Sequence, residues 1–179
     1  IAKLKKYGIG VVEPQNGLLA CGDTGAGKMP EPDFLFDVIE REIAREKDML
    51  GKKVLVTAGA TMESLDPVRF LTNHSSGKMG FAIAKEAMLR GAEVTVVKAN
   101  TTAEIPNFVK IVEVSSAKDM FDAVTALSDQ QDIIVKAAAV ADYTPESYVD
   151  SKIKKKDGDL SIPLKRTMDI LKYLGENKK

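Results

Sequence analysis

Lys53-Val54-Leu55-Val56-Thr57-Ala58 is a continuous apolar run with charge before it and Gly59 behind it. Such a run, without polar alternation, is expected of a strand buried on both faces, as in parallel sheets. Outward from it the pattern repeats. Residues 78–90 carry Met79, Phe81, Ile83, Ala84, Ala87 and Met88 at helical spacing and stop at Gly91. Residues 93–99 and 109–114 read as a second and a third strand. Ser116 is placed to cap a helix over 117–130, with Met120, Val124 and Leu127 inward. Residues 132–141 read as a fourth strand that runs into small residues. Strands alternating with helices predict an α/β fold, a three-layer Rossmann-like parallel sheet with helices on both faces. Ligands of such a sheet lie at the carboxyl ends of its strands.

The flanks differ. Residues 8–13 read as a short strand and Pro14-Gln15-Asn16-Gly17 as a turn. Gly22, Gly27 and Lys28 nearly fit a phosphate-binding P-loop, but Met29 stands where a magnesium-binding hydroxyl is needed and Pro30 and Pro32 follow. A flexible glycine-rich loop accounts for this stretch better. Residues 32–47 read as a helix whose charged end marks a domain boundary near residue 50. At the other end, Ser151-Lys152-Ile153-Lys154-Lys155-Lys156, a turn at Asp157-Gly158-Asp159 and residues 160–165 predict a basic β-hairpin or flap over 145–156 and beyond.

The chain has 179 residues, 44% of them hydrophobic and 29% charged, in the range of globular proteins. Acidic and basic residues are equal in number, 26 each, so no global field pulls toward nucleic acid or membrane. The one cysteine excludes an intrachain disulfide framework and fits a reducing, cytoplasmic compartment. The opening at Ile1, in mid-pattern, predicts a piece of a longer chain.

Residues 73–80, Asn73-His74-Ser75-Ser76-Gly77-Lys78-Met79-Gly80, close a long loop and open a helix. Backbone N–H groups of a first helical turn lack intrahelical partners and attract anions. Ser75, Ser76 and Gly77 therefore serve a phosphate or act as plain helix caps.

Thr57-Ala58-Gly59-Ala60-Thr61, Asp66-Pro67-Val68-Arg69 and the 73–80 stretch together resemble the synthetase half of the bifunctional phosphopantothenoylcysteine decarboxylase/synthetase family. Ala138-Ala139-Val140-Ala141-Asp142-Tyr143 and Ser151-Lys152-Ile153-Lys154-Lys155 do so too. Residues 20–29 resemble the last motif of the family's decarboxylase half. The resemblance implies a decarboxylase remnant and linker over 1–50 and an incomplete synthetase domain over 51–179.

It further implies CTP-dependent ligation of 4′-phosphopantothenate to cysteine through an acyl-cytidylate, with Mg2+, in coenzyme A synthesis. FMN would belong to a decarboxylase domain missing from the chain. By resemblance, Lys152 is the cation at the reacting phosphate and Asn73 handles the acyl-cytidylate. The nucleotide would meet Lys136, Ala137 and Ala138 through backbone groups, and Asp142, Thr167, Met168, Asp169 and Ile170 beside them. Cys21 matches the decarboxylase proton donor. His74, the one histidine, is expected to hydrogen-bond within its loop. Magnesium ligands are not located. The partners implied are the small-molecule substrates and a second copy of the chain, as in the family's synthetase dimers.

Two other readings stay open. Gly77 to Ala84 followed by 91–97 looks like the opening of a nicotinamide-dependent short-chain reductase, though no acidic residue ends the second strand to hold the ribose. A non-enzymatic binding or assembly module built on the basic hairpin is the second; lack of interleaved aromatics argues against nucleic acid.

Overall fold

A computed structural model describes residues 1–155 and 157–177. The chain divides into two compact units, Ile1–Arg45 and Glu46–Lys179. The first contains helix α1 (Ala2–Lys6), strands β1 (Gln15–Leu18) and β2 (Thr24–Lys28), and helix α2 (Pro32–Ile43). Strands β1 and β2 pair antiparallel, with Leu18 opposite Thr24 and Asn16 opposite Ala26.

Sequence reasoning misplaced this strand pair. Residues 8–13 form no strand, and the expected turn at 14–17 is largely strand instead. The glycine-rich run supplies its partner, because two backbones pair regardless of small side chains. The near-P-loop is thus a hairpin: Gly27 and Lys28 lie in β2, no helix start follows Lys28 directly, and its ammonium pairs with Glu31 at 2.6 Å. Helix α2 starts with Pro32 in its first turn, where the missing N–H costs nothing.

The second unit carries β3 (Lys53–Ala58), β4 (Met62–Ser64), β5 (Phe70–Thr72), α3 (Lys78–Leu89), β6 (Glu93–Lys98), β7 (Lys110–Glu113), α4 (Ala117–Ser128), β8 (Ile133–Lys136), β9 (Tyr143–Pro145), β10 (Leu164–Arg166) and α5 (Ile170–Glu176). Its main sheet is parallel, in the order β7-β6-β3-β8. Residues 54–58 of the central β3 are all buried. Leu55 faces the cluster of Met120 and Val124 from α4 and Ile170 from α5. Alternation along the strand turns Val54, Val56 and Ala58 the other way, toward α3, where Gly80 lies so close that an added Cβ would stand 2.7 Å from the Ala58 Cβ. The result is the expected α/β architecture, a parallel sheet between helices, with two short antiparallel pairs, β4–β5 and β9–β10, added in this unit.

Local chemistry sets the ends of these elements. Ser116 caps α4 in a reciprocal capping box: its hydroxyl accepts from the Asp119 N–H at 3.1 Å, and the Asp119 carboxylate accepts from the Ser116 N–H at 2.9 Å. Strand β8 is shorter than its apolar run because the N–H groups of Ala137 and Ala138 donate to the Thr57 hydroxyl, at 3.2 and 3.1 Å. The basic hairpin is also corrected. The paired strands are β9 and β10, with Tyr143 opposite Arg166, and Lys152, Lys154 and Lys155 sit in the loop between them; Lys156 lies outside the described residues. Leu164–Arg166 pairs with Tyr143–Pro145 instead, and the lysine cluster falls outside this ladder. The β4–β5 hairpin, inside what reads as one long loop, was not anticipated.

Candidate active site

Strand β3 sits between β6 and β8, so successive connections leave it in opposite directions. The carboxyl ends of β3 and β8 therefore border the crevice at the topological switch point. Gly59, Ala60 and Thr61 leave β3 there, and residues 137–141 leave β8 beside them. The two segments are tied by Thr61 N–H to Ala139 C=O at 3.2 Å and by the Ala141 N–H to the buried Thr61 hydroxyl at 2.9 Å.

Asn73, just past β5, reaches this seam: its amide Nδ2 lies 3.5 Å from the Ala139 carbonyl and 3.4 Å from that of Val140. Both contacts are long, and the side chain is exposed. Ser75 turns to its own loop, and Ser76 is tied to the loop after β6. The Ser75 hydroxyl accepts from the Gly77 N–H at 3.3 Å, and the Ser76 carbonyl accepts from the Thr101 hydroxyl at 2.6 Å. Gly77 is the left-handed N-cap of α3, at φ 78°. Against expectation, exposed His74 has no hydrogen-bond partner among the described residues.

Beyond β8 lies a cavity of about 370 Å³ walled by Lys136, Val140, Ala141, Asp142, Tyr143, Arg166, Thr167, Met168, Asp169 and Ile170. Six of the residues singled out from the sequence thus share one wall: Lys136, Asp142, Thr167, Met168, Asp169 and Ile170. The Thr167 N–H donates to the Asp142 carbonyl at 3.0 Å, and its hydroxyl donates to the Ala141 carbonyl at 2.7 Å. These bonds fix segment 167–170 against 141–142. Ile170 is also a core residue, 1% exposed. Ala137 and Ala138 are not in this wall, and their N–H groups, expected to read a ligand edge, are already held by Thr57. Lys152 and Asn73 are not in it either.

Burial pushes the Lys136 ammonium below the usual lysine range, opposed by the negative charge of Asp169. Asp169 is held below the carboxylate range by the Lys172 N–H that its side chain caps, with Lys136 adding a smaller pull. The cavity therefore holds a half-buried cation whose charged form gains from an incoming anion. In the first unit, Cys21 lies on the exposed loop of the β1–β2 hairpin, its Sγ 3.8 Å from an Asp23 carboxylate oxygen.

Sequence reasoning missed the other wall residues Val140, Ala141, Tyr143 and Arg166 as binding groups, and also Thr57 and Thr61. It also passed over Asp66 and Arg69 as individuals. The signal for that pair was present: Asp before Pro opens a turn in which the Asp side chain accepts from following N–H groups. The carboxylate does so from Val68 and Arg69, both at 2.8 Å.

Residues 49–179 match the family described as the DNA/pantothenate metabolism flavoprotein C-terminal domain. The chain is 44% identical over 182 residues to the coenzyme A biosynthesis bifunctional protein CoaBC of Bacillus subtilis, a match covering 100% of this chain and 45% of that one. It therefore spans less than half the length of this relative. It is similar to the crystal structure of the C-terminal domain of the coenzyme A biosynthesis bifunctional protein CoaBC, at 47% identity and a TM-score of 0.64 over 73% of this chain and 61% of the other. A Cab2 mutant in complex with phosphopantothenate-cysteine gives a TM-score of 0.59 at 16% identity over 83% and 68% of the two chains, a likeness of fold alone.

These matches correct the reading drawn from the resemblance. Residues 49–179 fall under a flavoprotein C-terminal description, not under one of a synthetase half. CTP-dependent ligation, the acid–amino-acid ligase assignment, CTP and Mg2+ are overturned by the match of residues 49–179 to a flavoprotein domain. The acyl-cytidylate roles of Asn73 and Lys152 go with them. The flavoprotein description attaches to residues present in the chain, so FMN is not set apart in a missing domain.

Proposed function

Since the chain belongs to the family of the DNA/pantothenate metabolism flavoprotein C-terminal domain, we propose that it takes part in the decarboxylation of phosphopantothenoyl-cysteine within a cytoplasmic, bifunctional protein of coenzyme A biosynthesis. The observation that carries this is the convergence of Lys136, Asp142, Thr167 and Asp169 on one cavity beside the carboxyl end of β8. A substrate with a phosphate at one end and a carboxylate at the other needs separated cationic and hydrogen-bonding groups. Lys136 supplies the half-buried cation, and Asp142, Thr167 and Asp169 accept from its amide or hydroxyl groups. Lys152 brings a second cation on the β9–β10 loop. Asn73 offers an amide donor, and Ser75, Ser76 and Gly77 open α3 as the place for the phosphate. The same reading includes a homodimeric assembly and no nucleic-acid or membrane partner. No helix among the described residues is long and apolar enough to cross a membrane.

The start of α3 suits the phosphate of a flavin mononucleotide as well as that of the substrate. The cavity beside β8 does not suit the isoalloxazine ring. Lys136, Asp142, Arg166 and Asp169 bring four ionisable side chains to its wall, whereas a flat apolar ring system calls for a mainly apolar slot. The chemistry assigned here is therefore confined to the chain's own residues. Loss of carbon dioxide breaks the bond to the carboxylate and needs a sink for the electron pair left behind, which a flavin would supply when bound. In the full bifunctional protein that carbon takes its proton from a thiol, the role read for Cys21, and solvent reprotonates the sulfur.

Lys136→Met keeps the length of the side chain and removes its charge. Calorimetric titration with phosphopantothenoyl-cysteine is expected to show affinity at least tenfold weaker than in the unaltered protein, in line with the loss of a charge-assisted hydrogen bond. Equal affinity in the two proteins would remove Lys136, and the cavity with it, from the binding site.

A further inference from the structure

The loop joining β9 to β10, residues 146–163, has no secondary structure of its own among its described residues, yet one residue in it is held at both backbone groups. The Ile153 N–H donates to Asp66 Oδ2 at 3.0 Å, and the Ile153 carbonyl accepts from Arg69 Nη2 at 2.7 Å. Asp66 and Arg69 are themselves locked together. The guanidinium donates to the same carboxylate oxygen through Nε at 3.1 Å and Nη2 at 2.7 Å. The Asp66 side chain is fully buried, and its other oxygen is taken by the two turn N–H groups. The Ile153 N–H is the foremost reason that the Asp66 carboxyl is held far below the usual range, followed by the guanidinium and the turn N–H groups, against the opposing effect of burial. A second strut, Val149 N–H to Leu65 C=O at 3.1 Å, ties the same loop to the same turn.

This arrangement is more than a salt bridge. A buried carboxylate paired with a partly exposed guanidinium is built around a peptide group 87 residues from Asp66 and 84 from Arg69 in sequence. That peptide belongs to the residue between Lys152 and Lys154, both exposed. Clamping Ile153 fixes where the lysines on either side leave the surface while their side chains stay free. We infer that Asp66 and Arg69 are positioning residues that set the place of Lys152 by holding the backbone of the next residue. Its bearing on the ligand rests on the reading of Lys152 given above; the clamp itself does not.

The test compares the unaltered chain with Arg69→Gln, Arg69→Lys and Ile153→Pro, the last removing only the N–H from the clamp. Amide hydrogen exchange at Ile153, or for the proline variant at Lys154, is expected to rise at least tenfold in both Arg69→Gln and Ile153→Pro. So is tryptic cleavage, after Lys152 and Lys154 in Arg69→Gln and after Lys154 alone in Ile153→Pro, since trypsin does not cut before proline. Amides of α3 and α4 should change less than twofold. Arg69→Lys keeps the charge without the planar fork, so it should fall short of full rescue. Unchanged exchange and cleavage in both Arg69→Gln and Ile153→Pro would overturn the clamp. The second arm titrates phosphopantothenoyl-cysteine into Arg69→Gln, Lys152→Gln and the double variant. If Arg69 acts through Lys152, the double variant binds no more weakly than Lys152→Gln alone; additive losses would overturn the positioning role. Absence of binding by the unaltered chain would sink the proposed function and leave the exchange result to decide the clamp.

Discussion

Gly59→Ala is expected to destabilise the second unit by about 3 kcal/mol or more, moving its urea midpoint down by roughly 1–2 M. Two costs coincide there. Gly59 has φ 86°, a conformation that an L side chain adopts only under strain. Its Cβ would also fall 2.4 Å from the Asn100 carbonyl oxygen and 3.0 Å from Ala99 backbone atoms. Neither neighbour can yield easily, because the Asn100 carbonyl accepts from the Ala60 N–H at 2.8 Å and the Ala99 N–H donates to the Ala58 carbonyl at 2.9 Å. Two other glycines separate the terms. Gly158, at φ 95° with open space around it, should lose about 1 kcal/mol or less on replacement by Ala. Gly80→Ala meets Ala58 at 2.7 Å with no positive φ and should fall between the two. Denaturant unfolding followed by far-UV dichroism ranks the three. A Gly59→Ala variant as stable as Gly158→Ala would show that the 59–61 corner is far more pliable than these contacts imply.

Cys21→Ser should lower kcat for phosphopantothenoyl-cysteine decarboxylation by about a hundredfold or more in the bifunctional protein, with KM changed by less than about threefold. The basis is proton transfer. A positioned general acid contributes on the order of 10²–10⁴ in rate, and a serine hydroxyl is a far weaker acid than a thiol. The exposed hairpin position of Cys21 leaves the substitution almost without structural cost, so a stability effect would not imitate the result. Release of labelled carbon dioxide under single-turnover conditions measures it. Turnover within tenfold of the unaltered protein would mean that another group donates the proton.

The central sheet was legible because burial on both faces leaves an unmistakable run, as in Lys53–Ala58, and because Ser116 announces α4 with a complete capping box. What escaped depended on contacts that sequence spacing does not encode. Strand β8 ends early because a hydroxyl some eighty residues away, on Thr57, takes two N–H groups from its ladder. The first-unit hairpin pairs a glycine-rich segment with no strand signature of its own, so its partner could not be identified from hydrophobic pattern. The cavity shows the same division. Lys136, Asp142 and 167–170 could be singled out through family motifs, but Tyr143 and Arg166 join them only because β9 pairs with β10. Asp66 and Arg69 show their local turn in the sequence and hide their long-range hold on Ile153.

The measurement that bears most directly on the cavity as the ligand site is hydrogen exchange of the chain with and without saturating phosphopantothenoyl-cysteine. Protection is expected in 139–143 and 166–170, the two segments that wall the cavity, and around 73–77 where the phosphate is placed. Protection confined to other surfaces, or none at a concentration that saturates calorimetric binding, would contradict the account.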